Sequence, residues 1–383
     1  MTARARAKRL LISLAAPVAA YLLWLGAAVV RFRPEHAPMA PASAGGPPYE
    51  VEGVYHVHTK YSDGRATTEK VAAIAARRSL DFIILTDHGR PNDKSLASQG
   101  KRDGIFVLAG SELSVSRGHL VALDFLPPAG HFSQKADQAV QEIAAAGGFS
   151  VVAHPYSKTP WTWGEDSDFQ GIEIADSDSM VKKNYARVIP YLPAFLIKPE
   201  LVLLRALTRP VETLRKWDSL AARRPVYGYF SADAHMFYDA VFRFFRLHVL
   251  LEEPLAPEFE RARAQIFGAL RSGHFYSAVE AAAAARGFRF EAEARGATRP
   301  MGSVVTWDGG EPVRLRVRAP FAFATETRLI RNGQVIGQAE GADLSYEADT
   351  VGDYRVEVYL KGPSPLAADF PWIVANPIFI KRS

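Results

Sequence analysis

A chain of 383 residues exceeds the usual size of one domain, and its composition, 48% hydrophobic and 23% charged, is that of a folded protein. It contains no cysteine, which excludes a disulfide framework, a lipid-modified cysteine and a thiolate zinc site. The net charge of +5 is local: residues 1–33 hold six basic and no acidic residues, and the 46 basic residues less these six leave 40 against 41 acidic in the remainder. With the excess beside an apolar stretch and no basic recognition motif after it, no nucleic-acid scaffold role is indicated.

Residues 10–30 form an uncharged stretch of 21 residues, long enough to span a bilayer as a helix. Four basic residues precede it and two follow, so the positive-inside rule predicts a short cytoplasmic tail at 1–9, a single-pass anchor and an extracytoplasmic catalytic domain, periplasmic in a Gram-negative cell. A cleavable signal peptide is the competing reading, disfavoured because the apolar region exceeds that of a typical signal. Residues 31–48, rich in proline, read as an extended linker.

From residue 49 to 285 apolar runs alternate with helical patterns. The runs at 82–85, 105–108 and 149–153 read as strands of a parallel sheet covered on both faces. Helices are predicted at 68–78, with Thr67 or Thr68 as N-cap, and at 135–146, ending at Gly147 and Gly148. Nine candidate metal ligands cluster in short blocks, most of them at the ends of such runs: His56, His58 and Asp63; His88; Glu112 and His119; His154; Asp233 and His235. Alternation on an extended strand would point His56 and His58 the same way, and likewise Asp233 with His235. Six imidazoles and three carboxylates without sulfur suit Zn, Mn or Fe. Nine ligands are too many for one ion, so the set fits two or three divalent metals.

The run from His56 through His58 and Asp63 to Gly64, followed by Thr86, Asp87 and His88, resembles the PHP (polymerase and histidinol phosphatase) domain of metal-dependent phosphoesterases. The resemblance covers roughly residues 50–280. It implies a distorted (β/α)7 barrel with a trinuclear centre: one metal held by His56, His58, Glu112 and Asp233, a second by Asp63, His88 and His235, and a third by His119, His154 and a bridging Glu112. The implied reaction is attack on phosphorus by a metal-bridging hydroxide, so no side-chain nucleophile is needed. Lys60, Arg65, Arg90, Arg117 and Lys158 are candidate phosphate clamps, each with the plainer alternative of a solvated cation. Asp87 is a candidate for orienting a ligand, and Glu173, inside the apolar run 171–174, for a place on the rim.

Residues 185–216 form an apolar insert broken by Pro190, Pro193 and Pro199. It reads either as a lid packed on the barrel or as a surface facing the bilayer that admits an amphiphilic or lipid substrate. Residues 288–383 look all-β. The segment 313–317 alternates, 327–330 leads into Asn332 and Gly333, a strong hairpin signal, and 354–359 alternates again. The fold class expected is therefore α/β: a PHP-type (β/α)7 barrel followed by an immunoglobulin-like β-sandwich and preceded by one transmembrane helix. The expected activity is hydrolysis of a phosphomonoester or phosphodiester. The alternatives are a metal-dependent hydrolase of a carboxyl ester, amide or carbamate, and a non-catalytic, metal-dependent ligand-binding receptor.

Overall fold

The apolar runs that precede the ligand blocks form strands buried along their whole length, at Phe82–Leu85, Ile105–Ala109 and Phe149–Ala153. The structure, a computed structural model, describes residues 3–32, 48–128, 130–162, 167–320, 325–341, 343–362 and 364–383, with side chains from residue 15 onward in the N-terminal helix. Except at its ends, the expected linker at 31–48 lies outside the described residues.

Tyr49–Val57, Phe82–Leu85 and Ile105–Ala109 pair in parallel, as do Phe149–Ala153, Gly171–Asp176 and Tyr227–Ser231. The two trios belong to different sheets. Between them the chain makes an antiparallel hairpin, Ser111–Val115 with Gly118–Leu123, turning at Gly118, whose φ of +123° favours glycine. A hairpin needs no crossover helix, so strand–helix alternation stops there. The rims of the two sheets meet through isolated parallel bridges, Val57 to Ala234 and His88 to Glu112.

The helix Thr68–Arg77 is capped by Thr67, whose hydroxyl accepts the Lys70 N–H, and Ala136–Ala145 is followed by Gly147 at φ +80°.

The expected barrel plus separate immunoglobulin-like sandwich is corrected to a mixed α/β fold with three sheets of 11, five and four strands. The reason lies at the far end of the chain. The last strand, Ile373–Arg382, is buried over its first eight residues and pairs antiparallel with Phe275–Val279, Tyr276 facing Ala375. Through it Gly352–Leu360, Thr325–Arg331 and Gln334–Glu340 extend the sheet that contains Tyr49–Val57, Phe82–Leu85 and Ile105–Ala109. Phe370 lies against Phe230 and Phe245, and the Trp372 indole N–H donates to Ala283 O at 2.9 Å, so one apolar core runs across the expected domain boundary.

The single-pass membrane topology is also corrected. Among the described residues no helix is long and apolar enough to cross a membrane. The helix Ala3–Arg31 instead commits one face to protein: Leu25 is buried, Trp24 packs on Tyr191 with ring centroids 5.0 Å apart, and the Tyr21 hydroxyl donates to Pro190 O. The expected cytoplasmic tail and extracytoplasmic domain lose their basis with it. The insert forms short helices, Tyr185–Val188, Ile189–Leu196 and Pro199–Leu204, and leads into Val211–Ala221.

Candidate metal centre

Local backbone geometry brings the ligands together in a way simple alternation does not describe. The register between Tyr49–Val57 and its neighbour shifts between Tyr55 and Val57, and His56 at the shift has φ +69°. His154 (φ +26°) and Asp233 (φ +43°) are likewise left-handed, each just beyond the end of its strand. Such turns at strand ends rotate side chains out of the sheet and into a shared space. The premise that Asp233 and His235 are extended is thus not met, and their side chains enter different groups.

All nine residues read from the sequence are gathered there. In the first group, His56 Nε2 and His58 Nε2 are 3.1 Å apart and each lies 3.2 Å from Glu112 Oε2; Asp233 Oδ1 is 3.4 and 3.3 Å from the two nitrogens. In the second, Asp63 approaches His235 Nε2 at 3.2 Å and His88 Nε2 at 3.7 Å, with His58 Nδ1 3.4 Å from its other oxygen. In the third, Glu112 Oε1 lies 2.8 Å from His119 Nδ1 and 2.9 Å from His154 Nε2. Glu112, almost fully buried, therefore places one oxygen in each of two groups.

Two atoms test whether a cation fits. Asp233 Oδ1 and His88 Nδ1 are buried without a hydrogen-bond partner. Buried polar atoms are costly unless paired or bound to a metal. The donor set, imidazole and carboxylate converging within a few ångströms, is that of a first-row divalent ion.

The electrostatics agree. Burial works against the charged forms, yet the surrounding carboxylates push the His58 imidazole up to about 9 and that of His154 up to about 10. Glu112 is buried as well, but the His56 charge and hydrogen bonds from His119 and His154 hold its carboxyl well below the usual range. The site is built to hold positive charge.

No family model matches the chain. It is 26% identical over 137 residues to an uncharacterized protein of Methanocaldococcus jannaschii, a stretch covering 31% of this chain and 78% of that one. Among solved structures it is similar to a two-domain protein containing a predicted PHP-like metal-dependent phosphoesterase from Bacteroides vulgatus, with 15% identity, a TM-score of 0.43, and 91% and 99% of the two chains covered. It is also similar to a proposed metal-dependent phosphoesterase from Bifidobacterium adolescentis, with 12% identity, a TM-score of 0.33 and coverage of 56% and 94%. A third is an amidohydrolase from Chromobacterium violaceum with bound sulfate and no metal, with 19% identity, a TM-score of 0.32 and coverage of 48% and 87%. The chain resembles PHP-like phosphoesterases.

The centre opens on a cavity of about 780 Å³ lined by Asp63, His88, Glu112, His119, His154, Asp233 and His235, while His56 and His58 lie fully buried behind it. Of the expected phosphate clamps only Lys158 lines this cavity. Lys60 and Arg65 are exposed elsewhere, Arg117 pairs with Asp137 at 3.3 Å, and the Arg90 carbonyl accepts the Phe132 N–H. The cations that do line it, besides Lys158, are Lys182, Lys183 and Arg209. They went unread because they sit on and beside the insert, far in sequence from any ligand. Asp176 was also unread, although it ends an apolar strand as the ligands do. It accepts the Ser179 N–H and the Ser231 hydroxyl, and burial with the nearby Asp233 charge pushes its carboxyl up to about 7.

Asp87 touches no ligand ring. It accepts the Thr59 N–H, the Thr59 hydroxyl and the Ser62 hydroxyl, fixing the turn that presents Asp63. The Tyr238 hydroxyl lies 2.8 Å from both the His58 and His235 carbonyls, tying two ligand segments together.

A fourth group, Glu52, His248 and Glu280, has the ligand types but a different character. His248 lies between Glu50 and Glu280 at 2.9 and 3.0 Å, and arginines satisfy the carboxylates: Arg289 on Glu50, Arg246 and Arg286 on Glu52. It is a buried ion network.

Proposed function

We propose that the protein is a metal-dependent phosphoesterase that binds two or three divalent ions through His56, His58, Asp63, His88, Glu112, His119, His154, Asp233 and His235, and hydrolyses phosphomonoesters or phosphodiesters. The observation that carries this reading is the Glu112 carboxylate, whose two oxygens each serve a different group of imidazoles, the arrangement a bridging ligand requires. Bound there, the ions would lower the pKa of a water and polarise a phosphoryl oxygen.

The chain's own residues do the rest. The apolar strands behind the ligands hold the imidazoles in place and keep water from His56 and His58. Lys158, Lys182, Lys183 and Arg209 line the cavity, Lys182 paired with Asp178 and Arg209 with Glu357, and would meet an anionic substrate there. Asp176 lies on the same wall, its carboxyl pushed up to about 7 by burial and the nearby Asp233 charge. The cavity volume, about 780 Å³, accommodates an organic group as well as the phosphoryl.

The test is elemental analysis of the purified protein, joined to hydrolysis of p-nitrophenyl and bis-p-nitrophenyl phosphate with and without a chelator. The expected result is two or three metals per chain and turnover that the chelator abolishes and metal restores. His58→Ala is expected to lose metal and at least about a hundredfold in turnover, as removal of a group holding the reaction centre does. Failure to bind metal after reconstitution would overturn the reading, and bound metal with neither ester cleaved would redirect it to carbonyl substrates.

A further inference from the structure

Glu173 lies one strand away from the ligand blocks, in Gly171–Asp176, and its carboxylate is about 1% exposed. Both of its oxygens are used. Oε1 is 2.6 Å from His56 Nδ1, and Oε2 accepts the His154 backbone N–H at 2.8 Å. A carboxylate accepts and does not donate, so the contact fixes the proton of His56 on Nδ1 and leaves the Nε2 lone pair facing Glu112, Asp233 and His58. The second contact holds the backbone of a residue whose φ is +26°, a conformation a non-glycine residue keeps only when neighbours enforce it. His56 serves the first group of ligands and His154 the third. The strand's register shifts between Glu173 and Ala175, an irregularity of the kind that re-aims a side chain.

We infer that Glu173 is a positioning residue that sets the affinity of the metal centre, acting at once on the ring of His56 and on the turn that presents His154. The inference rests on the phosphoesterase reading only in needing the centre to bind metal. Neither the substrate nor the reaction enters it. A bulky apolar residue in its place would fill the volume but leave the His56 tautomer free and the His154 N–H without an acceptor.

Glu173→Gln keeps the size and leaves one acceptor oxygen where two are needed. Calorimetric titration of the full-length variant with Mn²⁺ is expected to show the tightest dissociation constant weakened about 10–100-fold, the usual effect of losing a carboxylate behind a ligating imidazole. Circular dichroism is expected to match the wild type. A purely structural role would instead lower the melting temperature equally with and without Mn²⁺ and leave the dissociation constant unchanged, which overturns the inference. A wild type that binds no Mn²⁺ overturns this inference and the phosphoesterase reading together, whereas wild-type binding matched by the variant overturns only the role of Glu173. If the variant does not fold, ¹⁵N spectra of the Zn²⁺-loaded wild type decide. A proton on His56 Nδ1 with Nε2 on the metal supports the inference, and the reverse tautomer refutes it.

Discussion

His248 is the residue at which a bland sequence context and a demanding structural one diverge most. It is fully buried, stacked on Tyr276 with the rings 4.6 Å apart, and faced by Glu50 and Glu52 from one strand and by Glu280 just past the end of another, Phe275–Val279. Burial opposes its charge, but these carboxylates push the imidazole up to about 10. Glu50, also opposed by burial, is brought down to about 2 by His248, Arg289 and Tyr276. A raised histidine contributes stability that is complete below its ordinary pKa of about 6.5 and lost as pH climbs through 10, while a lowered glutamate contributes above about 4.5 and loses it as pH falls through 2. His248→Gln is therefore expected to cost about 3 kcal/mol near pH 6, within the range for breaking a buried pair, and progressively less toward pH 10. Melting temperatures of wild type and variant across that range check it. A gap that does not narrow with rising pH would show that His248 is not charged in the fold.

At the scale of elements, the metal centre depends on the hairpin that interrupts strand–helix alternation. Gly110 sits between Ile105–Ala109 and Ser111–Val115, where a Cβ would stand 2.2 Å from Ala122 O and 2.7 Å from a Leu123 methyl. Backbone cannot yield as a flexible side chain does. Gly110→Ala is expected to cost about 1–3 kcal/mol as an overpacked site and to displace Glu112, two residues on. A lowered melting temperature with reduced metal stoichiometry is the expected result, and full metal content would show that Glu112 is held independently of this contact. The nine candidate ligands that the structure gathers were legible in the sequence as donors because nitrogen and oxygen donors stand beside apolar strand-like runs. The helix at Thr68–Arg77 was legible because Thr67 caps it and Glu69 favours its first turn. The left-handed turns at His56 and Asp233 were not, since neither residue announces a positive φ as glycine does. Glu173 was only half legible. Its apolar neighbours place it in a strand, but its partners lie 117 and 19 residues away.

In the whole molecule, the C-terminal strands and the cavity are one mechanical unit. Arg209, on the cavity wall, is gripped by Glu357 at 2.9 and 3.1 Å, and the same carboxylate takes Arg355, which in turn holds Asp218 of the helix Val211–Ala221. Glu357 is fully buried and, despite that burial, the two arginines keep its carboxyl down at about 2. Glu357→Gln leaves two guanidinium groups short of a counter-charge and is expected to cost about 3–5 kcal/mol. It is also expected to change KM with metal content unchanged, because Glu357 fixes where the Arg209 guanidinium stands on the cavity wall. Unaltered kinetics in a destabilised variant would confine the network to a structural role. The sequence divided the chain near residue 285 because composition changes there. Pairing between Phe275–Val279 and Ile373–Arg382, nearly a hundred residues apart, is set by register and burial that no local pattern records.

The left-handed backbones of His56, His154 and Asp233 have a consequence for how this protein can change. Each non-glycine residue held there costs about 1–3 kcal/mol that a glycine would avoid. The residues that would relieve the chain most at these three positions are the ones that cannot hold a cation. Selection for thermal resistance alone would therefore erode the centre, and selection for activity keeps the rim under tension that the buried strands beneath it must withstand.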